Sequence, residues 1–126
     1  MAKEQNTVGL TDVGSEHLRL TMETGWFDTE LDACRVAMGV ALSRGVVAPP
    51  DELVSKTTKY NLGTWDRDRC VSSVIEVVGC PPGEDLCAYS ERLIQAGLGI
   101  LATELSEEGA LLSDVLERAS DGEKSL

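Results

Sequence analysis

Residues 27–45 read FDTELDACRVAMGVALSRG, and the architecture turns on how this stretch folds. Asp28 or Thr29 can accept hydrogen bonds from the free amides of a first helical turn, and Glu30 and Asp32 follow where the helix dipole favours negative charge. Arg44 falls in the last turn, and Gly45 can take the left-handed conformation that stops a helix. Between these ends Leu31, Cys34, Ala37, Met38, Ala41 and Leu42 recur on one face, while Val36 and Val40 carry the apolar surface further round. A helix that is apolar around most of its circumference is central to its own fold or lies in a subunit interface, and Val36 and Val40 are the interface candidates.

The flanking sequence extends this helical pattern in both directions. Upstream, TVGLT at 7–11 predicts a short strand, DVGS a turn, and Ser15 the cap of a helix through EHLRLTMET that ends at Gly25. Downstream, Pro49 and Pro50 make 46–58 a connection, and KYNLGT at 59–64 predicts a brief strand. In DRDRCVSSVIEVVG, Val71, Val74, Ile75 and Val78 follow a helical stripe, with a β-branched strand as the alternative for 70–78. CPPGED is a turn, and the segment from Leu86 to Gly109 predicts a long helix whose Leu93, Ala96, Gly97, Ile100 and Leu101 pack inward. Gly97 and Gly99 each cost about 1 kcal/mol inside a helix relative to Ala, for which close approach of another helix is the expected compensation. A short amphipathic segment, ALLSDVLERA, follows.

The fold class expected is therefore mainly α: one compact helical domain over 1–126 with one or two short strands. Within it, 5–45 forms a strand-helix-helix-like unit, 46–58 a connection, 59–105 a second helical unit of similar order, and 106–126 an acidic C-terminal segment. At 126 residues the chain is long enough for a core of its own. Its 22 Asp and Glu against 11 Lys and Arg give a net charge of −11, which repels nucleic-acid phosphates and anionic membranes unless bases gather locally. From Glu104 onward seven acids face two bases. With no apolar run near the roughly 18 residues of a membrane span, and no leader pattern at the start, a cytoplasmic protein without membrane contact is expected. Cys34, Cys70, Cys80 and Cys87 are then thiols by default, and their loose spacing, with His17 remote, favours small apolar side chains over a Cys70, Cys80, Cys87 metal site.

The bases do gather in one place. Lys56, Lys59, Arg67 and Arg69 stand with Tyr60 and Trp65, the composition of a small phosphate-contacting or base-stacking patch, and these six are the candidate binding residues. The competing reading makes Trp65 a core anchor, Asp66 or Asp68 a helix cap, and the arginines partners of Asp66, Asp68 or Glu76. With acids interleaved, a structural junction or protein-contact surface is favoured over nucleic-acid binding, because phosphate affinity needs unpaired bases. Catalysis has little support: no phosphate loop follows a strand, His17 has no nucleophile motif near it and reads as a surface residue, and the acid pairs read as solvated faces. No catalytic residue, metal or cofactor is expected.

VGLTDVGSEHLRLTMETGWFDTELDACRVAMGVAL, residues 8–42, resembles the ribbon-helix-helix pattern of a short strand before two helices split by a glycine-bearing turn. That resemblance implies DNA contact through strand side chains, although NTVGLT offers no base for it. Thr24, Gly25, Leu31 and the Arg-x-Ala at 35–37 also resemble the small E component of bacterial DNA-phosphorothioation (Dnd) systems, with the Arg-x-Ala two residues late. This second resemblance implies a helical, oligomeric accessory protein of a DNA-related or genome-defence assembly. The function expected is a non-catalytic subunit or adaptor that binds a protein partner or itself. A ribbon-helix-helix-like DNA-binding regulator, touching nucleic acid through 56–69, is the alternative.

Overall fold

The computed structural model describes residues 5–53 and 55–124. Strand β1 (Thr7–Leu10) leads into helices α1 (Asp12–Glu23) and α2 (Glu30–Arg44), and a single 3-10 turn at Pro50–Leu53 then precedes strand β2 (Thr57–Asn61). The chain continues through the one-turn helix α3 (Leu62–Trp65), a 3-10 turn at Arg67–Arg69, and helices α4 (Ser72–Val78), α5 (Leu86–Glu104) and α6 (Leu112–Lys124). The protein is thus mainly helical, with one two-stranded antiparallel sheet.

Side-chain caps set most of the helix starts. Thr29 accepts from the Asp32 amide and Asp85 from the Ala88 amide, so α2 and α5 begin at residues that can satisfy their free amides. Gly45 closes α2 with φ 68°, a conformation costly for any residue with a Cβ. At α1 the cap is Thr11, whose hydroxyl accepts from Gly14, and DVGS is the first helical turn rather than a turn ahead of Ser15. Thr11 outcompetes Ser15 because it also reaches Gln95 across the core, at 3.1 Å. β2 begins and ends earlier than the pattern predicts, since Asn61, the last residue of the ladder, caps α3 by accepting from the Thr64 amide. Residues 72–78 are helix, not strand.

The core lies between α2 and α5, the two longest helices. Gly97 makes their approach possible: a Cβ there would sit 1.9 Å from the backbone carbonyl oxygen of Ala37. Ala33, Cys34, Ala37 and Ala41 of α2 are fully buried against Ile94, Leu98 and Leu101 of α5. Helix α1 packs on α5 and α6 on α2, the latter clamped by Arg44, which pairs with Glu104 and donates to the Val115 carbonyl at 3.0 Å. The apolar circumference of α2 is therefore used within its own chain, with neighbours α1, α5 and α6.

The ribbon lies against α5. Thr7 faces Asn61 and Val8 faces Tyr60; past a bulge, Gly9 faces Thr58 and Leu10 faces Thr57. Val8, Gly9 and Leu10 are buried, whereas Thr57, Thr58 and Lys59 are exposed. Ser90, Glu91 and Gln95 form a buried polar row on α5 that holds this end of the molecule together.

Candidate functional site

Trp65 ends α3 with its ring completely buried, and its indole N–H donates to Ser90 Oγ at 2.9 Å. Tyr60 stacks on it, with ring centroids 6.3 Å apart and planes 16° from parallel. Behind the pair lies Cys34, whose thiol is pushed up to about 12 by burial; the Tyr60 phenol is also raised, chiefly by burial. Arg35 closes the other side by donating to the carbonyls of Thr64 and Trp65 at 2.9 and 3.2 Å. Both faces of the Trp65 ring belong to the core, so neither is open to stack on a base.

The cations of this segment have internal partners. Lys56 pairs with Glu91, a carboxylate only 2% exposed that also accepts from the Gly9 amide at 2.6 Å. Glu91 so ties β1, the β2 approach and α5 at one point, and Lys56 supplies the countercharge that a buried carboxylate requires. Lys59 pairs with Glu30 at 2.8 Å, joining β2 to the start of α2. Arg69 pairs with Glu76 on the surface, and Arg67 is exposed without an ion pair among the described residues.

Asp66 turns the chain into α4 by accepting from the amides of Val71 and Ser72 at 2.9 and 2.7 Å. In that turn Asp68 and Arg69 hold φ of 54° and 60°, the left-handed region, at a cost of roughly 1–3 kcal/mol each. The six candidate residues thus divide. Tyr60 and Trp65 are brought together as a packed pair, Lys56 and Lys59 brace the ribbon, and Arg67 and Arg69 stand apart at the turn before α4.

Val40 of the interface candidates is 2% exposed and Val36 half-buried, so the chain itself covers most of that surface. What remains open is a cleft between α2 and α6 of about 320 Å3, lined by Val36, Gly39, Val40, Ser43 and Leu116. Sequence reading missed Gly39, Ser43 and Leu116. The signal was Gly39 and Ser43, small residues following Val36 at i+3 and i+7 on the same helical face.

A second apolar surface lies on α4, where Val74, Val77 and Val78 are 40%, 86% and 51% exposed. The valine stripe of that helix is therefore only half buried, through Val71 and Ile75.

Cys87 and Cys34 are buried, Cys70 is exposed, and the Cys80 thiol donates to the Glu84 carbonyl at 3.1 Å. No group of three His, Cys, Asp or Glu side chains suited to a metal ion occurs among the described residues. His17 is half-buried rather than on the open surface: its ring lies 3.6 Å from where a Cβ on Gly99 would stand, because α1 packs against α5. No described helix is long and apolar enough to cross a membrane. No family model, curated protein or solved structure matches the chain.

Proposed function

We propose that this protein is a non-catalytic subunit or adaptor that works by binding another protein. The observation carrying this reading is the engagement of the 56–69 cations within the fold: Lys56 and Lys59 brace the ribbon and Arg69 holds Glu76. A phosphate-binding patch needs cations free to displace counterions, and of this group Arg67 alone has no carboxylate partner among the described residues. Apolar surface is what stays accessible, in the α2–α6 cleft and on α4, against a net charge of −11.

The second reading, a ribbon-helix-helix-like DNA-binding regulator, draws support from the antiparallel ribbon. Two strands of one chain pair there, each followed directly by a capped helix, with Thr57, Thr58 and Lys59 exposed on β2. Titration of duplex DNA at two salt concentrations separates the readings. The adaptor reading expects no saturable binding at either. Salt-sensitive binding that weakens in folded Lys59→Ala and Arg67→Ala variants would replace it with the second.

A further inference from the structure

We infer that the cleft between α2 and α6 takes an amphipathic helix with basic flanks from a protein partner, an inference that rests on the adaptor reading. The shape of the cleft favours a helix. Val36, Gly39, Val40 and Ser43 run along α2 at i, i+3, i+4 and i+7, and Leu116 of α6, 45% exposed, forms the opposite wall. A third helix laid along this seam places its apolar stripe between the two. Gly39 leaves room at the centre, since a Cβ there would meet nothing within 4 Å.

Charge fixes the chemistry of the flanks. Asp32 lies one turn before Val36 on the same face of α2, Asp114 and Glu117 lie on α6, and Glu107 and Glu108 precede it. All five are exposed, and none forms an ion pair among the described residues. The cations are differently placed. Arg44 of α2 and Arg118 of α6 are both bound to Glu104. An apolar cleft between two helices that carry unpaired carboxylates complements lysines and arginines flanking an apolar stripe. The α4 valines lack this combination, being a convex face of one short helix beside Arg67 and Arg69.

The test uses two 14-residue model helices with the same leucine stripe, one flanked by lysines and the other by glutamates. Both are titrated against the full chain and against Gly39→Leu, Leu116→Lys and Val77→Asp. Gly39→Leu fills the cleft from an exposed helical position where the added Cβ meets nothing within 4 Å and leucine is the better helix former, so its melting temperature should equal or exceed that of the parent. The lysine peptide should bind the parent, lose at least tenfold in affinity to Gly39→Leu and to Leu116→Lys, and keep its affinity for Val77→Asp. The glutamate peptide should not bind.

Undiminished binding to both cleft variants means general charge attraction and overturns the inference, as does no binding at all. Loss confined to Val77→Asp moves the site to α4, overturning the cleft while leaving the adaptor reading intact. A dimer of the parent that becomes monomeric in Gly39→Leu replaces the basic helix with a second copy of this chain. Failure of the adaptor reading itself shows separately, as salt-sensitive DNA binding.

Discussion

Helices α2 and α4 carry similarly apolar sequences and meet opposite fates. In α2 the residues Ala33, Cys34, Ala37, Met38, Val40 and Ala41 are buried, because three other helices surround it. In α4 burial stops at Ile75, with Val71 buried just ahead of the helix, and Val77, in the same short helix, is 86% exposed. Apolar periodicity states what a helix is able to bury; the number of neighbours decides how much it does bury. The approach to α4 differs from that to α2 in backbone as well, with left-handed Asp68 and Arg69 before α4 where extended Thr29 precedes α2.

The hardest blow to the contrast should come at the junction between the two regions. Trp65→Ala removes the largest fully buried side chain and leaves Ser90 without its indole donor. We expect a loss of about 3–5 kcal/mol in urea unfolding. A loss below about 1 kcal/mol would show that this end of the molecule is not part of the cooperative core.

Gly97→Ala tests the α2–α5 seam itself. The added methyl meets backbone at Ala37, not a side chain that can swing away, so the helices must separate. Destabilisation of about 3 kcal/mol, the upper part of the overpacking range, is expected by the same measurement, outweighing the gain in helix propensity of about 1 kcal/mol. A more stable variant would mean that the seam is looser than described.

Acid should loosen the clamp that holds α6 on α2. The hydrogen bond from Arg44, aided by Arg118, holds the Glu104 carboxyl below its ordinary value of 4.5. A carboxyl depressed in the folded state contributes stability that is fully present above its unfolded value and is lost as pH falls through the folded one. Glu104→Gln should therefore lower the melting temperature at pH 7 and flatten its decline below about pH 4.5, whereas parent and variant should converge at the acid end. Parallel melting curves across the whole range would remove Glu104 from the account of acid stability.

The smallest effects belong to α4. Val77→Ser should change stability by no more than about 0.5 kcal/mol, since the side chain touches little, while Ile75→Ala two residues earlier should cost about 2–4 kcal/mol. Equal costs would mean that α4 is packed on both faces, contrary to the exposure of its valines.

Much of this was legible from local chemistry. Thr29, Arg44 and Gly45 marked the ends of α2, Asp85 had the right side chain to start α5, and Gly97 announced a close helix contact. Ser15 and Thr11 were equally competent caps by type, and Gln95, distant in sequence, tipped the balance. The site was less legible: Lys56, Lys59, Trp65, Arg67 and Arg69 form one cluster along the chain, but their partners Glu91, Glu30 and Ser90 lie far away in it. The cleft was hidden for the same reason, since Leu116 meets Val36 and Gly39 only after α6 docks on α2.

The order of residues by itself determined the helical class, the caps of the long helices and the acidic surplus. These depend on interactions within a turn or two of the backbone and on simple composition. Tertiary structure alone decided that the two strands form one ribbon, that Lys56 and Lys59 pair with Glu91 and Glu30, and that α2 is surrounded while α4 is not. Ion pairing, burial and the opening of a cleft depend on distances between residues remote in sequence, and only the packing of one helix on another sets those distances.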